Sequence, residues 1–390
     1  MVLDRRRFSL LLATAAALPA GVAVGPGSGT AAGQGTVADM LGRVIRLSLP
    51  AKRIVLLDAR DILSMALLHA EPSRLVAGWA APETLDSDLV RSQYEPRPGG
   101  QGAIPVVGGR TAETVSVESI LALAPDLVVS TTHMDPEQGE SALTRHLEAA
   151  GIPVIFSNVS SNRQAEDAGK GGPLHDLRRL MRMWGAVLGR QEQASAFTDF
   201  AAGRLAMVRE RLGVVAPCKT YLEIQSTYDD CCWAAGTRIW GDLLALAGGQ
   251  NLSAVDSPWY AQVAIEQLIA EKPDAYIATG GAFASGMRPA IGPGHDPDEG
   301  REGLRRLCKR TGFGSLPAVR SGRVHGIWSG LVAIQPLNIL FVEVAAKWLH
   351  PDVFKGTWPE DTLAEINRRF LAKPLEAPCW LSLDRETGNG

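Results

Sequence analysis

One stretch of fifteen residues occurs twice in the chain, 148 positions apart, and that duplication constrains the fold more than any other feature. The copies start at Val117 and Ile265 and align without a gap. They keep Glu118/Glu266, Ala122/Ala270, Pro125/Pro273, Asp126/Asp274 and Thr131/Thr279 in register. Two copies so far apart cannot stack as a solenoid, which needs several short repeats. They imply two similar lobes. Within the first copy, Ile120, Leu121 and Leu123 form the apolar side of a short helix. Pro125 ends that helix because its ring cannot continue the pattern, and Leu127 to Val129 reads as a buried strand. A helix feeding directly into an apolar strand is half of an α/β unit on a parallel sheet. Leu268 to Ala278 repeats the arrangement.

The remaining pattern completes both units. Strands are predicted at 53–57, 75–78, 105–107 and 153–156 in the first half and at 220–224 and 323–327 in the second. Helices are predicted at 141–150 and 240–247. Between the halves, Gly171-Gly172-Pro173 opens a helical pattern, and Phe197, Ala201, Leu205, Val208 and Leu212 form a stripe that Gly213 terminates. A chain of 390 residues exceeds what a single core accommodates. The expected fold class is therefore α/β: two Rossmann-like lobes with parallel-rich sheets joined by a long inter-lobe helix. The expected domains are residues 33–171 and 214–390, with 172–213 as the helical segment between them.

Residues 1–32 read as a secretory signal. Arg5, Arg6 and Arg7 precede an apolar run from Leu10 to Leu18, and a small-residue tract follows. The run is too short to span a bilayer. Arg-Arg-x-Phe resembles a twin-arginine signal, although the Tat and Sec routes both stay open. The five cysteines are Cys218, Cys231, Cys232, Cys308 and Cys379, and none lies near the signal. The expected product is thus a periplasmic protein that is neither lipid-anchored nor membrane-inserted, with its cysteines as buried thiols or one disulfide. A net charge of −3 and the lack of a Lys/Arg cluster argue against a nucleic-acid partner.

Several further segments carry a family resemblance. Asp39 to Arg43 followed by Pro50 to Val55 resembles the opening of mature iron-complex and cobalamin periplasmic binding proteins. The Glu118-x-Ile-x-x-Leu-x-Pro-Asp-Leu-Val unit resembles their first-lobe signature. Gly241 to Leu244 with Ala247-Gly248-Gly249 resembles the second-lobe one, and Ala345 to Pro351 is similar to the ending of one subgroup. The resemblance spans residues 37–372. It implies a class III periplasmic binding protein fold that holds a ferric siderophore, or alternatively haem or cobalamin, in the inter-lobe cleft. It further implies a monomer with no cofactor of its own, docking onto an ABC permease and its ATPase through one surface glutamate per lobe. By position in the motif these are Glu118 and Glu266.

In open α/β sheets, ligands bind beyond the carboxyl ends of the strands. The cleft candidates are then Asp58, Arg60, Trp79, Arg110, Thr132 and His133 in the first lobe. In the second they are Tyr228, Trp233, Arg238, Trp259, Tyr260, Arg288 and Trp328. Arginine forks suit an anionic chelate, and aromatic rings cover flat apolar faces. His133 and Tyr260 could also ligate a haem iron. The seven histidines are scattered, which argues against a bare-metal site. Residues 280–303 read as a mobile, Gly/Pro-rich loop able to fold over the cleft. No phosphate loop, Gly-x-Gly-x-x-Gly, His-Glu-x-x-His or Gly-x-Ser-x-Gly occurs, so no enzyme is expected, an exported cofactor enzyme being the remaining alternative.

Overall fold

The computed structural model describes residues 33–160, 171–284, 286–356 and 358–384, so the proposed signal at 1–32 lies outside the described residues. An antiparallel hairpin of β1 (Gly33–Ala38) and β2 (Val44–Leu49), absent from the sequence reading, precedes the first lobe. That lobe holds β3 (Ile54–Leu56), β4 (Val76–Ala80), β5 (Val106–Gly108), β6 (Leu127–Thr131) and β7 (Val154–Asn158). They form a wholly parallel sheet in the order β5-β4-β3-β6-β7. Every residue of β3, β4 and β6 is buried. Burial on both faces explains why these strands are continuous apolar runs rather than alternating ones.

The second lobe holds β8 (Cys218–Glu223), β9 (Trp233–Ala235), β10 (Gly249–Gln250), β11 (Tyr260–Gln262), β12 (Ala275–Gly280), β13 (Val324–Trp328) and β14 (Trp380–Ser382). The order is β11-β9-β8-β12-β13-β14, and β10 also pairs with β8. The central β8, β12 and β13 are parallel, whereas β9, β11 and β14 add antiparallel edges. The two sheets are separate.

The repeated segment is preserved in the backbone as well as in residue type. Helices Val117–Ala122 and Ile265–Glu271 occupy equivalent places before β6 and β12. The residue ahead of each proline takes a left-handed conformation, with φ of 43° at Ala124 and 51° at Lys272. A following proline disfavours the right-handed helical region, so each helix stops before it. The Asp126 and Asp274 backbone N–H groups then bond Arg53 O at 2.9 Å and Lys219 O at 2.8 Å, pinning each unit to the first strand of its lobe.

The helical segment between the sheets contains the inter-lobe helix expected around Gln191 to Leu212, preceded by a second helix. It consists of two helices, Pro173–Leu188 and Gln191–Leu212, separated at Gly189, whose φ of +65° caps the first. The two pack closely at Gly185, where a Cβ would lie 2.9 Å from the Cβ of Ala194 and 3.3 Å from the Cα of Gln191. Phe197, Ala201 and Val208 of the sequence stripe are buried as expected. Arg204, on the same helix, forms a 2.6 Å ion pair with buried Glu343, whose carboxyl burial pushes up and Arg204 only partly restores. The helix Asn338–Leu349 that carries Glu343 is buried on nearly all sides, in keeping with its apolar composition.

Nor does this helix alone join the lobes. The segment after β4 crosses to the second lobe, where Gln93 Nε2 donates to Pro374 O at 3.3 Å and Lys373 sits 5.2 Å from the Tyr94 ring centre. The Gly/Pro-rich loop of residues 280–303 is correspondingly anchored rather than free: Ser87 Oγ donates to Pro293 O at 2.8 Å, and Ala282 N to Asp86 O at 3.1 Å. The last part of that stretch is the start of a helix, Pro297–Cys308. The sulfurs of Cys231 and Cys232 are joined to each other, while Cys218, Cys308 and Cys379 are free. Burial raises the Cys308 thiol to about 11 and the Cys379 thiol to about 12, which keeps both protonated and unreactive.

Candidate functional site: a cleft at the carboxyl ends of both sheets

In the first sheet the chain runs outward from β3 to β5 and then restarts on the other side with β6, so the switch point lies between β3 and β6. Loops leaving adjacent strands in opposite directions open a crevice there. Asp58 and Arg60 follow β3, and Thr131 and His133 close β6, so all four line that crevice. In the second sheet, Ile224, Gln225 and Thr227 after β8 and Thr279 at the end of β12 stand opposite. Two adjoining pockets result, enclosing about 1080 and 1340 Å³ of space including that open to solvent. They share Asp58, Arg60, His133, Trp240, Trp259, Val332 and Ala333 and therefore form one cleft.

Charge in the cleft is arranged in pairs. Arg60 grips Asp58 with two nitrogens, Nε to Oδ1 at 2.9 Å and Nη2 to Oδ2 at 2.6 Å. Burial alone would raise the Asp58 carboxyl, but the guanidinium outweighs it and holds the group below its ordinary value. Asp61, behind it, has no such partner: burial, reinforced by the Asp58 charge, pushes its carboxyl up to about 8 despite a 2.5 Å hydrogen bond from Ser157. Asp61 is thus mostly protonated at neutral pH. Arg238 lies 3.5 Å from Asp242, and Arg288 lies 3.2 Å from Asp86. Arg110 instead stacks on Phe283 at 4.6 Å.

Aromatic rings supply the apolar walls. Trp259 contacts Tyr260 edge-on at 4.8 Å, Trp240 at 5.9 Å and the His133 ring at 6.0 Å. Burial, aided by the Arg60 charge, lowers the His133 pKa, so the imidazole is neutral at neutral pH. No group of three or more His, Cys, Asp or Glu side chains among the described residues is arranged to hold a metal ion.

Of the residues read from sequence, Asp58, Arg60, Arg110, His133, Arg238, Trp259, Tyr260 and Arg288 meet in this cleft. Others do not line it. Trp79 is fully buried in the main core, because β4 is covered on both faces. Thr132 is buried and bonds Ser160 O, leaving its neighbour Thr131 to line the wall. Tyr228 packs under Arg306 at 3.7 Å, and Trp233 donates to Asp230 at 2.7 Å while backing Tyr260. Trp328 is fully buried, with its indole N–H donated to Asp86 O at 3.0 Å. The rule of residues after strands counts positions along the chain and cannot tell which side chains turn inward.

The same rule missed Trp240, Asp242, Asp86 and Phe283, all of which line the cleft. Trp240 and Asp242 open a helix rather than follow a strand, and Trp240 is fixed by a 3.1 Å bond from its indole N–H to Val332 O. The Gly241-Asp242 pair was legible only as a motif. Glu118 and Glu266 stand elsewhere, each exposed in the first turn of its repeated helix. A carboxylate is favoured there by the helix dipole.

Comparison with known proteins agrees with this architecture. The chain is 22% identical over 245 residues to an uncharacterised ABC transporter substrate-binding lipoprotein, YvrC, of Bacillus subtilis, covering 62% of this chain and 67% of that one. It is 25% identical over 166 residues to a vitamin B12-binding protein of Yersinia pestis, covering 43% of this chain and about half of that protein, 53%. The crystal structure of a TroA-like periplasmic binding protein, FepB, from Veillonella parvula superposes with a TM-score of 0.73 at 22% identity, covering 90% of this chain and 99% of that one. The model of the periplasmic binding protein family matches residues 65–329, and the chain belongs to that family.

Proposed function

We propose that this protein is the exported solute-binding component of an ABC importer that captures an iron complex, most readily a ferric siderophore, and delivers it to an inner-membrane permease. The observation that carries the reading is that arginines of both lobes share one cleft with the aromatic rings of the second lobe, the His133 imidazole of the first facing them. Guanidinium groups suit the anionic oxygens of a chelate, and rings such as Trp240, Trp259 and Tyr260 suit its flat or apolar faces. The vitamin B12-binding relative supports cobalamin as the second reading, with haem beside it. The substrate-binding relative supports import over catalysis. With its first cysteine at Cys218, the exported form is proposed to be free in the periplasm.

Two experiments test the proposal. A ferric siderophore should quench tryptophan fluorescence with sub-micromolar affinity, about −8 kcal/mol or better. No binding across catecholate, hydroxamate, haem and cobalamin ligands would overturn it. Docking is tested at Glu118 and Glu266. Replacing both with Ala should abolish uptake by the reconstituted importer while ligand titrations stay unchanged. Each exposed carboxylate adds only about 0.3–1 kcal/mol to stability, but truncating one member of a buried interfacial charge pair costs about 2–5 kcal/mol. Wild-type uptake by the double variant would remove the docking role, and a matching loss of ligand affinity would place these residues in binding instead.

A further inference from the structure

Asp86 belongs to the first lobe but is bonded almost entirely to the second. It follows the short helical turn Pro82–Leu85 in a left-handed conformation, φ 55°. Oδ1 accepts from Phe283 N at 2.7 Å, Oδ2 accepts from Ser329 Oγ, and Oδ2 forms an ion pair with Arg288 Nη1 at 3.2 Å. Its carbonyl accepts from Trp328 Nε1 and Ala282 N. The backbone at Gly281 comes so close that a Cβ there would lie 2.1 Å from the Asp86 carboxyl carbon. Only a glycine admits that approach.

This arrangement leaves Arg288 half satisfied. Its side chain lines the cleft and is 11% exposed, and that of Asp86 is 5% exposed. Asp86 occupies Nη1, whereas Nε and Nη2 are buried with no hydrogen-bond partner among the described residues. Those two nitrogens form the edge of a guanidinium that receives a carboxylate with two parallel hydrogen bonds. Buried donors without partners call for an explanation, and these two belong to a side chain that lines the cleft. Asp86 also holds the guanidinium in place from across the cleft, so its free edge is set before anything binds.

We infer that Asp86 is a positioning residue that presets Arg288 as the receptor for a carboxylate, or another anion with two adjacent oxygens, on the captured chelate. The inference rests on the proposed reading of the cleft as a chelate site and adds to it a chemical requirement on the ligand. Arg288 makes the contact; Asp86 acts only through it and through the loop it anchors.

The test compares two probes on the full mature chain: a ferric trihydroxamate bearing a free carboxylate, and the same chelate with that carboxylate converted to the amide. Wild type should prefer the carboxylate form by about tenfold or more, the range for a hydrogen bond to a charged group. Arg288→Gln should bind both forms equally. Asp86→Asn should shrink the preference, and adding it to Arg288→Gln should change the ratio no further. Thermal unfolding of each variant separates folding defects from binding, and the ratio of the two affinities is insensitive to a general loosening of the cleft. Equal binding of both probes by wild type would overturn the inference and leave the import reading standing. A uniform loss for both probes in Asp86→Asn, with the ratio intact, would reduce Asp86 to a structural tie. No binding of any chelate by wild type would overturn both readings.

Discussion

Arg310→Ala should destabilise the second lobe by about 3–5 kcal/mol, the cost of stranding one member of a buried ion pair. Glu223 ends β8 with its side chain 0% exposed, and Arg310, at 7%, bonds both of its oxygens, at 2.9 Å to Oε1 and 2.7 Å to Oε2. The same guanidinium donates to Thr227 O at 2.9 Å, Asp230 O at 3.2 Å and the Tyr276 hydroxyl at 3.0 Å. It therefore also holds the loop that carries Gln225 and Thr227 into the cleft. Burial, reinforced by the Glu223 charge, keeps the Tyr221 and Tyr276 hydroxyls well above the ordinary phenol range, so they cannot share the negative charge by ionising. Urea titration followed by circular dichroism measures the loss. Arg310→Lys should rescue only in part, since an ammonium lacks the planar fork. The paired replacement Glu223→Leu with Arg310→Met should recover most of the stability, as apolar substitutes for buried pairs commonly do. A single variant as stable as wild type would show that water reaches the pair and that the loop does not depend on it.

His325 should make this protein lose stability between about pH 6.5 and pH 3. The ring lies in β13, stacked on Trp348 with centroids 4.5 Å apart, and Nδ1 is 2.9 Å from Ser382 Oγ. Nε2 is buried and has no partner among the described residues. Burial, with the nearby Arg323 charge adding to it, pushes the pKa down to about 3. An unfolded histidine takes up its proton near 6.5. Between those values the unfolded state binds more protons, so the contribution is complete above 6.5 and is lost as pH falls toward 3. At about 1.4 kcal/mol per pH unit, the loss reaches roughly 3 kcal/mol by pH 4. His325→Phe keeps the stack and removes the titration. Its urea stability from pH 7 to pH 4 should therefore fall by roughly 3 kcal/mol less than that of wild type. Parallel curves for the two proteins would mean that His325 takes up its proton in the folded state as readily as in the unfolded one.

Much of the fold was legible because its information is local or duplicated. The helix, proline and strand of the repeat depend on neighbouring residues only, so Val117–Ala122 with β6 and Ile265–Glu271 with β12 emerge where the pattern puts them. Strands buried on both faces announce themselves as apolar runs, as β3, β4 and β13 do. The helix Gln191–Leu212 was legible from its stripe of Phe197, Ala201, Leu205, Val208 and Leu212, whereas the end of Pro173–Leu188 at Gly189 was not.

In the cleft, composition and strand ends by themselves sufficed to nominate Arg60, His133, Trp259, Tyr260 and Arg288. What only the tertiary structure decided is which of the nominated side chains point inward. Trp79 and Trp328 follow the same sequence rule as the cleft residues, yet sheet packing and the Asp86 carbonyl take them into the interior. The pairing of Asp86 with Arg288 joins residues 202 positions apart. No local pattern encodes such a pair: Arg288 stood out as a cleft arginine, but the aspartate that meets it sits in an ordinary-looking turn until the lobes bring the two within 3.2 Å. Sequence specifies each lobe through short-range periodicity; the relation between the lobes arises from long-range contacts, and the ligand site is made of that relation.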